Sequence, residues 1–98
     1  MTGTLFVELQ TPHGVLLEGA TESVEMRTSD GIIEIRPGQD SHLSLVRTTE
    51  ITLRMGGEVL RYALENAAAG LRDGRLTILA ETAHPLVGFD AAEEWEPS

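Results

Sequence analysis

The chain contains no cysteine and no lysine, and its seven basic residues are all arginine. Without thiols it cannot form a disulfide, a thiolate nucleophile or a cysteine-ligated metal centre. Without lysine it has neither a Schiff-base amine nor the lysine of a phosphate-binding P-loop. Its 98 residues are enough for one domain with a modest core. These absences exclude several classes of enzyme and of metal site.

Basic residues are also few, because 16 acidic side chains outnumber the seven arginines and give a formal charge of −9. This balance argues against a nucleic-acid-binding protein, which needs cations to neutralise phosphates, and against electrostatic docking to anionic lipid. The sequence has no apolar run of membrane-spanning length and no pattern of a secretion signal. We expect a soluble intracellular domain with no direct membrane insertion, tied to a membrane only through another protein.

Helical periodicity is missing before residue 82, and short segments of alternating apolar and polar residues take its place. Leu5, Val7 and Leu9 share one face of a strand, as do Leu76, Ile78 and Ala80. Turn signals separate the segments at Thr11-Pro12-His13-Gly14, Ser29-Asp30-Gly31, Gly56-Gly57 and Asp73-Gly74. We predict an all-β fold: a two-layer β-sandwich of about nine to ten short, mostly antiparallel strands, with a short C-terminal tail.

The sequence predicts one domain over residues 1–84 and an acidic tail over residues 85–98. In the second half, Leu43 and Leu45 are expected on one side of a short strand that is separate from the strand at 51–55. In the tail, Asp90 could cap about one helical turn, which is too short to be stable alone. Phe89 and Trp95 could dock this turn on the domain.

No set of residues has the spacing of a catalytic or metal site. Asp40-Ser41-His42 has the composition of a hydrolase triad, but neighbours in an extended chain point to opposite faces. The carboxylate pairs Glu22/Glu25 and Glu93/Glu94 are expected on any surface this acidic, and His13, His42 and His84 lack metal-ligand spacing. We predict no catalytic residue, no cofactor and no metal, and a domain that holds partners together.

The order of the segments carries more information than any one of them. Val7-Glu8-Leu9-Gln10-Thr11-Pro12 is followed by Glu18-Gly19, by a segment from Ser29-Asp30-Gly31 to Pro37-Gly38, and by a closing strand from Asp73-Gly74 to Ala83. Over residues 5–83 this order resembles the N-terminal β-sandwich domain of the epsilon subunit of F-type ATP synthases. The resemblance implies a short form, without the family's C-terminal helical pair, inhibitory arm or nucleotide site.

Several positions depart from that family's pattern. Gln39 replaces the usual histidine, Asp40-Ser41 replace Ala-Pro, Glu34 stands where glycine is common, and Asn66-Ala67 replace a Gly-Gly pair. These changes concern two turns and the residues that would contact partners.

The resemblance implies a non-catalytic rotor subunit of the central stalk, which links the gamma subunit to the membrane c-ring and transmits torque. It places the protein at the cytoplasmic face of the bacterial inner membrane, as a peripheral part of the F1 sector. The c-ring-facing residues would be Gly31, Ile32, Ile33, Arg36, Pro37, Gly38 and Asp40. The gamma-facing residues would be Thr11, Gln39, His42 and Ser44.

Two questions stay open at this level. Ile32 is either an exposed apolar contact or a core residue. The alternative function is a stand-alone β-sandwich adapter or ligand-binding module with no role in ATP synthase.

Overall fold

The computed structural model describes residues 4–38 and 43–86, where all regular structure is β-strand. This confirms the all-β prediction. Eight strands are present in that part of the chain rather than nine or ten. In chain order they are β1 (Leu5–Thr11), β2 (Gly14–Thr21), β3 (Ser23–Thr28), β4 (Gly31–Ile35), β5 (Leu43–Met55), β6 (Glu58–Arg72), β7 (Arg75–Leu79) and β8 (Thr82–Pro85).

The strands form one hydrogen-bonded path in the order β2-β1-β7-β6-β5-β3-β4, with β8 paired to β6. Only β1 and β7 are parallel among these pairs. The two long strands β5 and β6 each belong to both layers of the sandwich. One part of each strand pairs in layer 1 and the other part pairs in layer 2. Layer 1 contains β2, β1, β7, residues 68–72 of β6 and residues 43–48 of β5. Layer 2 contains β8, β3, β4, residues 58–65 of β6 and residues 50–55 of β5.

The prediction of short strands in the second half is wrong for β5 and β6, which have 13 and 15 residues. Their pairing shifts register between Leu43 and Val46 and again between Thr48 and Glu50. Such bulges bend a strand without ending it, so one strand can pass from one layer to the other. The irregular register also explains why Leu45, expected beside Leu43 on one side, is 73% exposed while Leu43 is half-buried.

Two buried threonines form hydrogen bonds at the points where the chain passes from one layer to the other. The Thr48 hydroxyl at the bulge of β5 lies 3.0 Å from the carbonyl oxygen of Arg27 on β3. The Thr21 hydroxyl at the end of β2 donates to the carbonyl oxygen of Arg54 on β5 at 2.8 Å. Since a buried hydroxyl and a buried carbonyl both need a partner, these bonds hold the two layers in register.

The core lies between the layers and draws on both. Leu5, Val7 and Leu9 are at most 2% exposed, as their alternation predicts. One cluster of buried side chains is made of Leu5, Val7, Leu9, Val24, Met26, Ile35, Ile51, Leu53, Leu64, Ala67, Ala69, Leu71, Leu76, Ile78 and Ala80. The inner face of the sandwich therefore follows the predicted strand alternation.

Two hairpins have the predicted tight turns with positive φ at both central residues. Asp73 and Gly74 have φ of 52° and 76°, and Gly56 and Gly57 have φ of 59° and 83°. Asn66, where the resemblance leads one to expect glycine, also has a positive φ of 49°. Asparagine tolerates this conformation better than most residues, so the departure keeps the backbone geometry.

The boundary between domain and tail remains a prediction, and β8 includes Pro85. The predicted features of the tail, Phe89, Asp90 and Trp95, lie outside the described residues. In the described part of the chain, no helix has the length and hydropathy needed to cross a membrane.

Candidate functional site

The outer surface of layer 1 carries large apolar side chains that the core does not use. Val15 and Leu16 on β2 are 49% and 50% exposed, Leu79 on β7 is 50% exposed, and Leu45 on β5 is 73% exposed. We call these four residues the apolar stripe. They come from the two edge strands of layer 1 and from one strand between them.

Strand register places the members of the stripe across one surface. Gln10 on β1 is the Cα partner of both Val15 and Leu79, and Leu79 is in turn the partner of Ala68 on β6. On the same side of β6, a Cβ at Gly70 would lie 3.8 Å from Cδ2 of Leu45. The small residues Ala68 and Gly70 thus lie between Leu79 and Leu45, so no large side chain stands between these two leucines.

Hydrogen bonds and an ion pair also occupy this surface on β1 and β7, and Gln10 lies between Val15 and Leu79. The Gln10 side-chain amide donates to Glu8 at 2.8 Å, and the Arg75 guanidinium donates to the other Glu8 oxygen at 3.2 Å. The same guanidinium lies 4.8 Å from the centre of the Phe6 ring. The surface thus mixes exposed apolar side chains with hydrogen-bonded polar groups, as protein–protein interfaces do.

Two of the predicted gamma-facing residues are described, and both lie in layer 1. Thr11 ends β1 and lines a depression of about 420 Å³ together with Leu79. Its hydroxyl accepts a hydrogen bond from the backbone N–H of His13 at 3.1 Å, which shapes the turn. Ser44 is exposed on β5, next to Leu45. Gln39 and His42 lie outside the described residues.

The predicted c-ring-facing residues do not form one loop. Gly31, Ile32 and Ile33 begin β4, whereas Arg36, Pro37 and Gly38 follow its end at Ile35. Only Glu34 and Ile35 lie between the two groups, and at about 3.3 Å per residue Ile33 and Arg36 are roughly 10 Å apart. The family resemblance groups these residues, although the β-branched run Ile32, Ile33 and Ile35 itself favours a strand. Asp40 lies outside the described residues.

Ile32 itself is 58% exposed, so it is not a core residue. It follows the turn between β3 and β4, where the Thr28 hydroxyl donates to the carbonyl oxygen of Gly31 at 2.8 Å. The backbone N–H of Asp30 donates to the same hydroxyl at 3.1 Å. These bonds hold the turn in one conformation and leave Ile32 at the surface beside it.

The histidine and carboxylate candidates from the sequence are only partly among the described residues. Within residues 4–38 and 43–86, no group of three or more histidine or acidic side chains could hold a metal ion. Glu22 and Glu25 are both exposed, and Ser41 and His42 of the composition-only triad lie outside the described part.

The apolar stripe was not predicted from the sequence. One signal was available, since Leu79 alternates with the core residues Ile78 and Ala80 and must therefore face outward with Thr77. The rest of the stripe depends on which strands are neighbours, and Leu45 depends on the bulge. Neither feature has a local signature in the sequence.

Comparison with known proteins agrees with the fold and the order of segments. A family model described as "ATP synthase, Delta/Epsilon chain, beta-sandwich domain" matches residues 4–86. The chain belongs to this family. Its most similar relatives include the ATP synthase epsilon chains of Desulfitobacterium hafniense, 29% identical over 87% of this chain, and of Bacillus subtilis, 26% identical over 89%.

The chain spans 64% and 66% of the lengths of those two relatives, which is less than two thirds of each. Among solved structures, it matches a chain in the cryo-EM structure of the Euglena gracilis mitochondrial ATP synthase, which contains OSCP, F1 and the c-ring. That match has a TM-score of 0.75 and 18% identity, and covers 93% of this chain and 59% of the other. At this identity the match supports the fold alone.

Proposed function

We propose that this delta/epsilon-family chain is a non-catalytic central-stalk subunit of an F-type ATP synthase. In this role it links the gamma subunit to the membrane c-ring and transmits torque between ion flow and ATP synthesis or hydrolysis. Family membership over residues 4–86 and relatives named as ATP synthase epsilon chains support it. The chain then works as a peripheral part of the F1 sector at the cytoplasmic face of the bacterial inner membrane. It has no catalytic residues or cofactor of its own.

The apolar stripe is the observation that carries this proposal. Four large apolar side chains, each about half exposed or more, lie across one face of a small acidic domain. Large apolar side chains gathered on one exposed face of a domain often mark a contact with another protein. Thr11 and Ser44, two of the gamma-facing residues implied by the family, lie beside this stripe. We therefore assign the stripe to the contact with gamma.

The c-ring contact is assigned to the turn between β3 and β4. Gly31, Ile32 and Ile33 begin the strand there, and Ile32 presents an apolar side chain on a turn fixed by the Thr28 hydroxyl. Arg36, Pro37 and Gly38 could contact the same ring only if the contact extends along β4. The acidic chain has neither the cations for nucleic acid nor a described helix that could cross a membrane.

A rotor subunit must resist deformation between its two neighbours, and this fold suits that task. β5 and β6 run without interruption from layer 1 into layer 2. Force applied to the stripe therefore reaches the turn at Gly31 through paired strands and a close-packed core, not through a flexible linker.

The test is affinity purification of the tagged chain from mildly solubilised membranes of its own source, followed by mass spectrometry. We expect gamma in stoichiometric amounts, together with alpha, beta and c subunits. Leu79→Glu should reduce recovery of gamma at least about tenfold, because a carboxylate would be buried against an apolar partner. Val59→Glu is the matched control, since Val59 is also 50% exposed but lies on layer 2.

Recovery of the unmodified chain without any ATP synthase subunit would overturn the proposal, and the adapter reading would then account better for the stripe. Equal losses from Leu79→Glu and Val59→Glu would remove the assignment of the stripe to gamma.

A further inference from the structure

The depression of about 420 Å³ beside Leu79 lies where β1 and β7 end. Thr11 and Pro12 line it from the end of β1, and Asn66 and Glu81 line it from β6 and from the segment after β7. We call it the terminal depression. Its volume is at the small end of the range for ligand sites, about 300–1,000 Å³, so it suits one side chain of a partner better than a large cofactor.

Three of the residues that line the terminal depression are apolar. Leu79 is 50% exposed, whereas Ala80 is 5% exposed and lies deeper. Pro12 lies in the turn between β1 and β2 and adds an exposed ring without a backbone N–H. Such a surface suits the aliphatic stem of a long side chain, because lysine and arginine bury their methylene groups and keep the charged end at a polar edge.

Both amide side chains that line the depression donate to a glutamate. The Gln10 amide donates to Glu8 at 2.8 Å, and the Asn66 amide donates to Glu81 at 2.5 Å. Because a carboxylate can only accept, each amide turns its nitrogen toward the glutamate and its oxygen away from it. The Thr11 hydroxyl donates to the carbonyl oxygen three residues further on, at 3.5 Å. In the described part of the chain, the two amide oxygens accept no hydrogen bond and are open to a partner.

The carboxylate of Glu81 has no cation beside it among the described residues. Its side chain is exposed and bonds Asn66, and no arginine in that part of the chain lines the depression. Strand register places Arg47 two strands from Leu79, about 10 Å away. Glu65, whose carbonyl oxygen accepts from the backbone N–H of Glu81 at 3.0 Å, adds a second acidic residue nearby. The terminal depression is therefore rich in acceptors and negatively charged.

A matching group must donate several hydrogen bonds, accept none and carry a positive charge. The guanidinium group of arginine meets all three conditions, and its planar fork donates in several directions, whereas the lysine ammonium acts as a point charge. The acceptors come from different strands, with Gln10 on β1, Asn66 on β6 and Glu81 after β7. A fork fits such a spread better than a point charge does.

We propose that the terminal depression binds an arginine side chain of the gamma subunit. Its methylene groups pack on Leu79 and Pro12, and its guanidinium group donates to Glu81 and to the amide oxygen of Asn66. The inference rests on the proposed function, because gamma supplies the arginine, and it adds the chemistry of one contact. Since Asn66 stands where the family resemblance leads one to expect glycine, its amide oxygen is a contribution of this chain.

Glu81→Gln tests the proposal with little risk to the fold, because the new amide oxygen can still accept from Asn66. Glu25→Gln is the matched control, since Glu25 is also exposed and undergoes the same change of charge but lies on layer 2. The dissociation constant of each full-length variant for purified gamma is measured at about 0.05 M NaCl. Glu81→Gln should raise it about five- to twentyfold, because a charge-assisted hydrogen bond is lost, and Glu25→Gln should leave it within about twofold.

The outcomes of this experiment separate the two proposals. If the unmodified chain binds gamma and the two variants have equal effects, the arginine site is rejected and the rotor assignment stands. If the unmodified chain does not bind gamma, the rotor assignment is overturned and this inference with it.

A pair of small probes tests the guanidinium chemistry without gamma. N-acetylarginine amide and N-acetylcitrulline amide have the same shape, but citrulline carries a neutral urea group in place of the guanidinium. The arginine probe should shift the amide NMR signals of Ala80 and Glu81 at roughly 1–50 mM, as expected for a ligand of this size, and the citrulline probe should bind at least about threefold more weakly. Equal shifts with the two probes would overturn the assignment of a guanidinium group to the depression.

Discussion

The two layers of this sandwich have similar inner faces and very different outer faces. Inside, both contribute fully buried aliphatic side chains, such as Leu76 from layer 1 and Leu53 from layer 2. Outside, layer 1 exposes Leu45, Leu79, Val15 and Leu16, whereas layer 2 exposes two large apolar side chains, Ile32 and Val59, among arginines paired with glutamates. Strand alternation determines which side chains point inward, but it leaves the outward positions free to take on different functions.

The difference between the outer faces has an energetic meaning. Ion pairs on an exposed surface contribute little to stability and keep that surface hydrated. Exposed leucines contribute little to the folding of the isolated domain and gain free energy only when another surface covers them. A permanent partner would therefore gain more binding free energy by covering layer 1 than by covering layer 2.

The hairpin turns provide the sharpest comparison of the layers and the largest expected effect. Gly74 joins β6 to β7 in layer 1 with φ of 76°, and a Cβ there would lie 2.9 Å from the carbonyl oxygen of Thr4. Gly57 joins β5 to β6 in layer 2 with φ of 83° and open space around it. Gly57→Ala should lower the free energy of unfolding by about 1 kcal/mol through backbone strain alone. Gly74→Ala should cost about 1–3 kcal/mol more.

Urea denaturation of both variants measures this difference. Equal losses of stability would show that the approach of Thr4 to Gly74 does not constrain the turn, and that the two hairpins are equivalent.

Neutralising one glutamate in each ion-pair cluster should change the free energy of unfolding by a smaller amount, and by different amounts in the two layers. Glu50 in layer 2 lies near two arginines, Arg61 and Arg27, whereas Glu8 in layer 1 has one arginine partner in the described part of the chain, Arg75, and accepts a hydrogen bond from Gln10. Glu50→Gln should lower the free energy of unfolding by about 1 kcal/mol, and Glu8→Gln by roughly half as much, after allowance for solvent screening. The loss from Glu50→Gln should shrink when denaturation is repeated at high salt. A larger loss from Glu8→Gln would contradict this ranking of the layers.

Sequence reasoning recovered the features that depend on local patterns. Alternation identified the buried faces of β1 and β7, and Asp73-Gly74 identified a tight turn whose two residues both have positive φ. The order of segments resembled a family to which the chain does belong. Each of these inferences uses residues that are close together in the sequence or in a fixed order.

The features that sequence reasoning missed depend on contacts between distant segments. Bulges keep β5 continuous and turn Leu45 outward, although its neighbours predict two short strands. The apolar stripe needs the order β2-β1-β7-β6-β5 before its members can be placed together. No local pattern contains that order.

The central claim, that the stripe on layer 1 contacts gamma, can be tested by thiol labelling because the chain has no cysteine. Leu79→Cys and Val59→Cys each introduce a single thiol at a position that is 50% exposed, one on each layer. The labelling rate of each variant is measured with and without purified gamma subunit. The account predicts that gamma slows labelling at position 79 at least about tenfold and leaves position 59 unchanged. Unchanged labelling at position 79 in the presence of bound gamma would contradict it.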